Sequence, residues 1–395
     1  MNYSGYLGAV MNYNRKYVFA AACLAMLVFG IVMTILGSVL PSLIVKFGLD
    51  KADAGSLFPL MTVGMLIGSL FFGPVVDRYG YKIPFILSCA LILAGLEVLA
   101  FENQLSIMRL AMFLVGLGGG VVNGGSNALV ADIAEEDRGA KLSLLGVFFG
   151  IGAFGIPMSL GVLLGYFDYT TLIAVIGWTL LIPILFFLFI RFPAPKQMQG
   201  FPLKEGLKLI KEVPLLLFGL ILFFESGMEI TVGGWTSTFF SEELMIDTSR
   251  AVFYLSFYWL ALMAARIIIP KLLKTMQADR LLRGFIFLAI AGSLLLIFTR
   301  NLGLALAGVM LIGFGFAAVF PVILGLVGDR YPHLSGTAFS VVFVMALTGG
   351  SLMPYLSGLV GNSHGLRMAF IIVPVSLVIM LGLLSVVQRR NQAGS

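Results

Sequence analysis

Charged residues and metal-binding residues are both scarce in this sequence. Charged side chains make up 11% of the 395 residues, whereas a soluble domain carries about 25%. There are two cysteines and two histidines: Cys23 and Cys89 lie inside apolar runs, and His333 and His364 are far apart. This pattern argues against a disulfide framework and against a His/Cys metal site. No nucleophile motif indicates an enzyme, and we expect no cofactor.

Hydrophobic residues, by contrast, are abundant. They make up 59% of the chain, and the mean hydropathy is +1.04. Many runs approach the roughly 20 residues that a helix needs to cross a bilayer. The first run is long and leads into further spans, so we do not expect a cleavable signal. We predict an all-α membrane protein with twelve transmembrane helices, at about residues 17–41, 54–76, 82–101, 105–131, 141–166, 171–191, 213–240, 250–272, 282–299, 303–328, 335–361 and 366–387.

The basic residues are distributed unevenly between the predicted loops. Nineteen of the 25 lysines and arginines fall on one side of the predicted spans and six on the other. The positive-inside rule places the richer side, with both termini, in the cytoplasm. The net charge of +6 therefore reflects topology, and we predict no nucleic-acid partner. The expected location is the bacterial inner (plasma) membrane, with the lipid bilayer as the surrounding partner.

The sequence repeats itself at an offset of 197 residues. Five residues of the first half recur as the same type in the second: Gly116, Gly118, Asp132, Pro157 and Gly161 correspond to Gly313, Gly315, Asp329, Pro354 and Gly358. Such repeats are typical of transporters that bind a solute between two related bundles and rock around it. We predict a monomer with two pseudo-symmetric six-helix bundles, over residues 1–191 and 213–395, joined by a cytoplasmic linker over 192–212.

A short motif lies between the second and third predicted spans. Residues 73–82 have the sequence GPVVDRYGYK. Asp77 can accept charge-assisted hydrogen bonds, and Gly80 permits a tight turn. The motif resembles the G-x-x-x-D-R-x-G-x-[RK] signature of the major facilitator superfamily, whose twelve-helix transporters use this loop to latch their halves together on the cytoplasmic side. The resemblance implies a gating or structural role for a set of cytoplasmic charges: Asp77, Arg78, Asp132, Arg138, Asp329 and Arg330.

Two carboxylates lie in the seventh predicted span. Glu225 falls near the middle of the membrane, and Glu229 follows four residues later on the same helical face. An ionised carboxylate in lipid costs several kcal/mol, so both must be paired, protonated or directed into a cavity. Substrate binding and ion coupling are the functional interpretations. The alternative is a structural carboxylate that is hydrogen-bonded to its neighbours.

The pattern around these carboxylates, G-x-E-x-x-x-G-x-W, ends at Trp235. It resembles the seventh helix of the fucose–proton symporters and their bacterial glucose and mannose relatives. The eighth span resembles that family's aromatic-Trp…Gly-Arg segment at Trp259 and Arg266, with Ala265 in place of Gly. The resemblance implies that Trp235 and Trp259 stack on a sugar ring and gives Arg266 a gating or structural role. Packing is the alternative for both tryptophans.

A pair of amides lies in the fourth predicted span. Asn123 and Asn127 share one helical face beside several glycines. An amide donates and accepts hydrogen bonds, so the pair could bind sugar hydroxyls; interhelical hydrogen bonding is the alternative. The fucose symporters carry a carboxylate at the position of Asn123 and another acidic residue in the first helix. The first predicted helix of this sequence has no acidic residue. If the transporter couples to protons, the coupling must therefore use Glu225 or Glu229. Coupling to Na⁺ and transport without coupling are the alternatives.

A further pair of charges lies near the outer ends of the third and fourth spans. Glu97 and Arg109 fall at similar depth, so we expect them to form an ion pair. The pair would be structural or would gate the outer side.

Three functions follow from these features. The first is cation-coupled symport of a sugar or similar polyhydroxylated small solute. The second is proton-driven export of lipophilic or drug-like compounds, which three phenylalanines of the tenth span would favour. The fifth span lacks the contiguous Gly-Pro of the proton-antiporter signature, and this weakens the export hypothesis. The third is a non-transporting receptor, for which a soluble output domain is missing. The three phenylalanines are Phe314, Phe316 and Phe320.

Overall fold

The protein is a bundle of membrane-spanning helices. A computed structural model describes residues 13–133, 138–194, 212–331 and 335–393, and all regular secondary structure within them is helical. Twelve helices of these residues are long and apolar enough to cross a membrane, which confirms the predicted fold class. Those of the first half are α1 Arg15–Phe47, α2 Lys51–Gly55 and Leu57–Tyr79, α3 Lys82–Phe101, α4 Leu105–Ile133, α5 Arg138–Leu163 and α6 Tyr169–Thr179 and Leu181–Phe189. Those of the second half are α7 Val213–Glu243, α8 Thr248–Leu272, α9 Ala278–Phe298, α10 Leu302–Phe316 and Val319–Arg330, α11 Ser335–His364 and α12 Leu366–Ala369 and Ile372–Ala393.

Four of the twelve helices are interrupted, and the interruptions share one feature. A proline lies three or four residues after the first non-helical residue of the break in α2, α6, α10 and α12. The proline ring clashes with the carbonyl four residues earlier and cannot donate the helical hydrogen bond to it. The prolines and the residues whose carbonyls they displace are Pro59 and Gly55, Pro183 and Thr179, Pro321 and Ala317, and Pro374 and Phe370.

Short polar caps begin α2, α6, α8 and α10 at the end of the bundle that the charge distribution predicts to be extracellular, called here the outer end. Asp50, Asp168, Asp247 and Asn301 each accept a hydrogen bond from the backbone N–H three residues later. These bonds satisfy donors that the first helical turn leaves free. Hydrogen bonds from Thr171 lower the pKa of Asp168, and a hydrogen bond from the Ser249 hydroxyl lowers the pKa of Asp247. The outer loops can therefore be short without leaving helix ends unsatisfied.

The 197-residue repeat is present in the packing as well as in the sequence. Three glycines of the first half pack against a backbone carbonyl of a neighbouring helix so closely that a Cβ atom would lie within 2.9 Å of the oxygen, and their counterparts do the same in the second half. Such small residues let membrane helices approach closely. The glycine and carbonyl pairs are Gly116 with Met61, Gly118 with Ser88 and Gly95 with Ala111, matched by Gly313 with Tyr258, Gly315 with Phe285 and Gly292 with Gly308.

The two six-helix bundles meet most extensively along three pairs of helices. α1 packs against α7, α2 against α11 and α5 against α8. Ser237 of α7 donates a hydrogen bond to the backbone carbonyl of Gly37 in α1, which stands against the backbone of Gly233. The predicted linker over 192–212 lies outside the described residues, apart from 192–194 and 212. The candidate functional residues lie mainly on the central helices α1, α4, α7 and α8.

Candidate functional site

A cluster of three charged side chains lies between α7 and α8, with both carboxyl groups buried and Arg266 partly buried. Glu225 is 1% exposed and Glu229 8% exposed. Arg266 of α8 reaches Glu229, with 3.6 Å between Nη2 and Oε2, which is longer than the 2.7–2.9 Å of a strong charge-assisted bond. Because Glu225 lies one helical turn from Glu229 on the same face, the cluster, called here the charged site, has two carboxyl groups and one guanidinium.

The charged site is incompletely satisfied. Ser226 donates a hydrogen bond to Glu225 Oε2 at 2.9 Å, and the Tyr258 hydroxyl donates to the backbone carbonyl of Glu229 at 3.4 Å. Glu225 Oε1 and Arg266 Nε are buried without a hydrogen-bond partner among the described residues. A buried polar atom without a partner is costly. The site can therefore accept a cation or proton at the carboxyl groups and an acceptor group of a ligand at the guanidinium.

Aromatic rings surround this site. Trp259 lies 5.0 Å from Tyr258, ring centroid to centroid, at an interplanar angle of 77°. It is 2% exposed, and its indole N–H has no partner in the described part of the chain. A Cβ at Gly233 would come within 2.8 Å of the indole ring, so this glycine makes room for it. Trp259 thus lies beside Tyr258 with an unused donor, and its stacking on a sugar ring stays a prediction.

Trp235 lies farther toward the outer end of α7. Its indole N–H donates to the backbone carbonyl of Pro354 at 3.0 Å, and its ring packs 6.0 Å from Phe58. The side chain is fully buried. In this conformation Trp235 packs where α2, α7 and α11 meet, and its indole N–H is already hydrogen-bonded.

The predicted amide pair occupies a separate position on α4. Asn127 is exposed and Asn123 is partly exposed. Asn127 Nδ2 donates to the backbone carbonyl of Asn123 at 2.9 Å and to its Oδ1 at 3.3 Å. The pair is organised within its own helix, and neither side chain is buried by the rest of the protein.

The outer end is held shut by contacts that the sequence analysis did not predict. Lys51 of α2 forms a 2.9 Å ion pair with Glu242 of α7, and its backbone N–H donates to the side chain of Asn362. Glu243 pairs with Arg367 at 3.2 Å. We call the Lys51–Glu242 pair the outer clasp, because it joins the two halves.

The predicted ion pair between Glu97 and Arg109 is not formed. Arg109 pairs with Asp53 at 3.1 Å and donates to the Ser56 hydroxyl at 2.8 Å. Glu97 faces α6 instead, where its Oε1 lies close to Gly177 without a hydrogen-bond partner in the described residues. Arg109 therefore braces the start of α2, next to the outer clasp, and Glu97 does not take part.

The predicted cytoplasmic gating residues lie at helix ends. Asp132 accepts a hydrogen bond from the Tyr81 hydroxyl at 2.7 Å. The guanidinium of Arg78 lies 5.3 Å from the centroid of the Tyr79 ring. Asp329 and Arg330 are exposed at the end of α10. The side chains of Asp77 and Arg138 lie outside the described residues, so the latch stays a prediction.

The phenylalanines of α10 are engaged in packing. Phe314 stacks on Phe285 at 5.3 Å, Phe320 stacks on Phe343 at 5.9 Å, and Phe316 is fully buried. All three rings therefore pack against other parts of the protein. Sequence reasoning missed Phe149 and Tyr258, which border the charged site, since an aromatic residue in an apolar span carries no pattern that sets it apart.

Comparison with known proteins agrees with this architecture. A family model described as Major Facilitator Superfamily matches residues 22–350. The glucose/mannose transporter GlcP of Bacillus subtilis is 24% identical over 389 residues, which cover 92% of each chain. The 4-hydroxybenzoate transporter PcaK of Pseudomonas aeruginosa is 32% identical over 145 residues, 36% of this chain and 30% of that relative's length. The cis,cis-muconate transport protein of Acinetobacter baylyi is 23% identical over 380 residues, 90% of each chain.

Solved structures share the fold at low sequence identity. A mutant of the nucleoside transporter NupG superposes with a TM-score of 0.81 at 16% identity over 95% of this chain and 100% of that chain. A D-xylose–proton symporter does so with a TM-score of 0.77 at 14% identity over 93% and 97%. With twelve spanning helices in two related bundles and a family match over most of its length, the chain belongs to the Major Facilitator Superfamily of multi-pass membrane transporters.

Proposed function

We propose that this transporter is a symporter that carries a sugar or similar polyhydroxylated solute together with H⁺ or Na⁺ by alternating access. The observation that carries the proposal is the charged site, in which Glu225 and Glu229 are buried with a single guanidinium from Arg266. The proposed location is the bacterial inner membrane with both termini in the cytoplasm, as the distribution of basic residues indicates.

The charge balance of the site supports coupling to a cation. Two ionised carboxylates and one guanidinium leave one negative charge in a buried environment, and an uncompensated buried charge is strongly unfavourable. Binding one cation, or protonating one carboxyl group, makes the cluster neutral. The same balance disfavours an anionic solute, which would add a second uncompensated charge. A neutral solute carried with one cation fits this arrangement.

The chemistry around the site supports a polyhydroxylated solute. Asn123 and Asn127 offer donors and acceptors on an exposed face of α4. The unused donors of Trp259 and Arg266 lie on the opposite half. Sugar hydroxyls accept and donate, so they match both sets, and the glucose/mannose relative is similar over nearly the whole chain.

The contacts between the halves support alternating access. The outer clasp and the Ser237–Gly37 hydrogen bond close the outer end, while the exposed Asn127 lies about three-quarters of the way along α4 toward the other end. With the termini in the cytoplasm, the described conformation is closed to the outside. Opening to the outside then requires the outer clasp and the contacts between α1 and α7 to separate.

A second candidate solute is an organic acid. Arg266 could bind a carboxylate in place of Glu229, since guanidinium groups favour bidentate carboxylate binding. The similarity to the 4-hydroxybenzoate and cis,cis-muconate transport proteins makes this the specific competitor. Export of lipophilic compounds has less support, because the rings of α10 pack against other side chains.

Uptake into proteoliposomes tests the proposal directly. The purified protein is reconstituted, and uptake of D-glucose, D-mannose, 4-hydroxybenzoate and a lipophilic dye is measured with and without imposed pH and Na⁺ gradients. We expect accumulation of a monosaccharide above its external concentration only when one cation gradient is present. Accumulation of 4-hydroxybenzoate alone would establish the second candidate, and gradient-driven dye movement without sugar uptake would establish export.

A further inference from the structure

Phe149 of α5 belongs to the first half but reaches the charged site of the second. Its ring centroid lies 5.5 Å from Cζ of Arg266 and 6.2 Å from the centroid of Trp259, at an interplanar angle of 76°. The side chain is 4% exposed. A cation over an aromatic face is attracted by the ring's quadrupole, most strongly where water is excluded. Phe149 is therefore a point of contact between the first half and the guanidinium.

The ring is fixed within its own half. It packs 5.6 Å from Phe29 of α1, and the backbone carbonyl of Phe149 lies so close to Gly30 that a Cβ there would clash with it. The next residue, Gly150, packs against Met263 of α8. The position of the ring over Arg266 therefore depends on how α5 and α8 are docked, and it changes when the halves move apart.

Arg266 has few other contacts to hold it. Its only described ion pair, to Glu229, is 3.6 Å long, and its Nε has no hydrogen-bond partner in the described chain. In the described part of the chain, Glu225, Tyr258 and Arg266 are the charged or titratable neighbours of Glu229. The Arg266 side chain is also 28% exposed. Without the ring, it would be free to move away from the carboxyl groups toward its exposed side.

We infer that Phe149 is a positioning residue for ion coupling, an inference that rests on the proposed function. While the outer end is closed, its ring holds the Arg266 guanidinium beside Glu229, so that the positive charge competes with the coupling cation and promotes its release. When α5 and α8 separate, the ring leaves the guanidinium, and Glu229 can bind the cation again. The position of the first half thus affects cation binding at the carboxyl groups through the Phe149 ring.

The test compares two ring-to-leucine variants in proteoliposomes with D-glucose as the probe. Phe149→Leu keeps an apolar side chain but removes the aromatic face over Arg266. Phe187→Leu is the matched control, because it removes a fully buried ring of the same half whose described ring contacts, to Phe85, Phe186 and Phe192, all lie within the first half. Phe149→Tyr retains the aromatic face and serves as the conservative rescue.

We expect Phe149→Leu to lower gradient-driven accumulation of D-glucose by about tenfold, while counterflow exchange, which needs no release of the cation, stays near that of the parent. Phe187→Leu and Phe149→Tyr should accumulate D-glucose like the parent. Equal losses in the two leucine variants, or a loss of exchange in step with accumulation, would show that the ring only supports packing and would overturn the inference. If the parent shows no cation-dependent uptake of D-glucose, the proposed coupled transport of this probe fails, and the inference fails with it.

Discussion

The two halves of this transporter share their packing but differ in their chemistry. The glycine–carbonyl contacts that join α2 to α4 and α3 to α4 recur at an offset of 197 residues in the second half. The charged site does not recur. Subtracting 197 from Glu225, Glu229 and Arg266 gives Val28, Val32 and Ser69. Adding 197 to Asn123 and Asn127 gives Phe320 and Leu324.

This difference separates what the fold requires from what transport requires. Close backbone contacts have to be present in both bundles, because each bundle needs the same helix packing to exist in the membrane. An ion site needs only one bundle, since the other bundle has only to approach and leave it during the cycle. We therefore expect substitutions at the repeated positions to affect stability equally in both halves, and substitutions at the unrepeated positions to affect transport.

The largest effect should come from the unrepeated carboxyl groups. Glu229→Gln keeps the shape of the side chain but cannot change charge, so accumulation driven by a cation gradient should fall to the equilibrium level. Counterflow exchange of the same solute should continue. Glu97→Gln, a carboxyl group of the first half outside the charged site, is the control and should accumulate solute normally. Gradient-driven accumulation by Glu229→Gln at the level of the parent would exclude this carboxyl group from coupling.

The repeated glycines should contribute to stability alike in the two halves. Gly116→Ala and Gly313→Ala place a methyl group against the backbone carbonyls of Met61 and Tyr258, and overpacking of this kind costs about 1–3 kcal/mol. Both should lower the melting temperature of the detergent-purified protein by a similar amount. Gly146→Ala is the control, because nothing lies within 4 Å of its added Cβ. A large loss in one half only would mean that the packing symmetry has no energetic counterpart.

The amide pair should affect solute affinity with little effect on stability. Asn127 is exposed and hydrogen-bonded only to Asn123 among the described residues, so Asn127→Ala should leave the melting temperature near that of the parent. Losing a hydrogen-bond partner for a solute hydroxyl should weaken binding about 10- to 100-fold, measured by calorimetry. The matched control is Leu324→Ala, at the equivalent position of α10. Unchanged affinity would return the pair to a structural role.

The outer clasp should have the smallest effect. Lys51 and Glu242 are 22% and 35% exposed, and a partly exposed ion pair contributes about 0–1 kcal/mol, equivalent to at most a fivefold change in population. Lys51→Glu should therefore raise the labelling rate of a Thr236→Cys reporter by a membrane-impermeant maleimide up to about fivefold. The native cysteines are buried and give a low background.

The double variant Lys51→Glu with Glu242→Lys restores opposite charges and should return the labelling rate to that of the parent. If the double variant labels as fast as the single one, the pair does not hold the outer end closed.

Several features of the site could be predicted from sequence because they depend on one helix alone. The helical period puts Glu225 and Glu229 on one face, and the same argument puts Asn123 beside Asn127. The prediction of a Glu97–Arg109 ion pair was wrong, because a similar depth in the membrane does not determine the direction in which each side chain points. The rotation of α3 turns Glu97 toward Gly177, and that of α4 turns Arg109 toward Asp53. No local pattern encodes these rotations.

The sequence by itself determined the twelve helices, their division into two related bundles and the burial of two carboxyl groups, because hydropathy and periodicity act along a single chain segment. The tertiary structure decided which charges meet. Arg266 reaches Glu229, Lys51 reaches Glu242, and Phe149 of one half lies over the guanidinium of the other. These contacts depend on how packed helices are rotated and docked, which is set by close approach at glycines on many helices together.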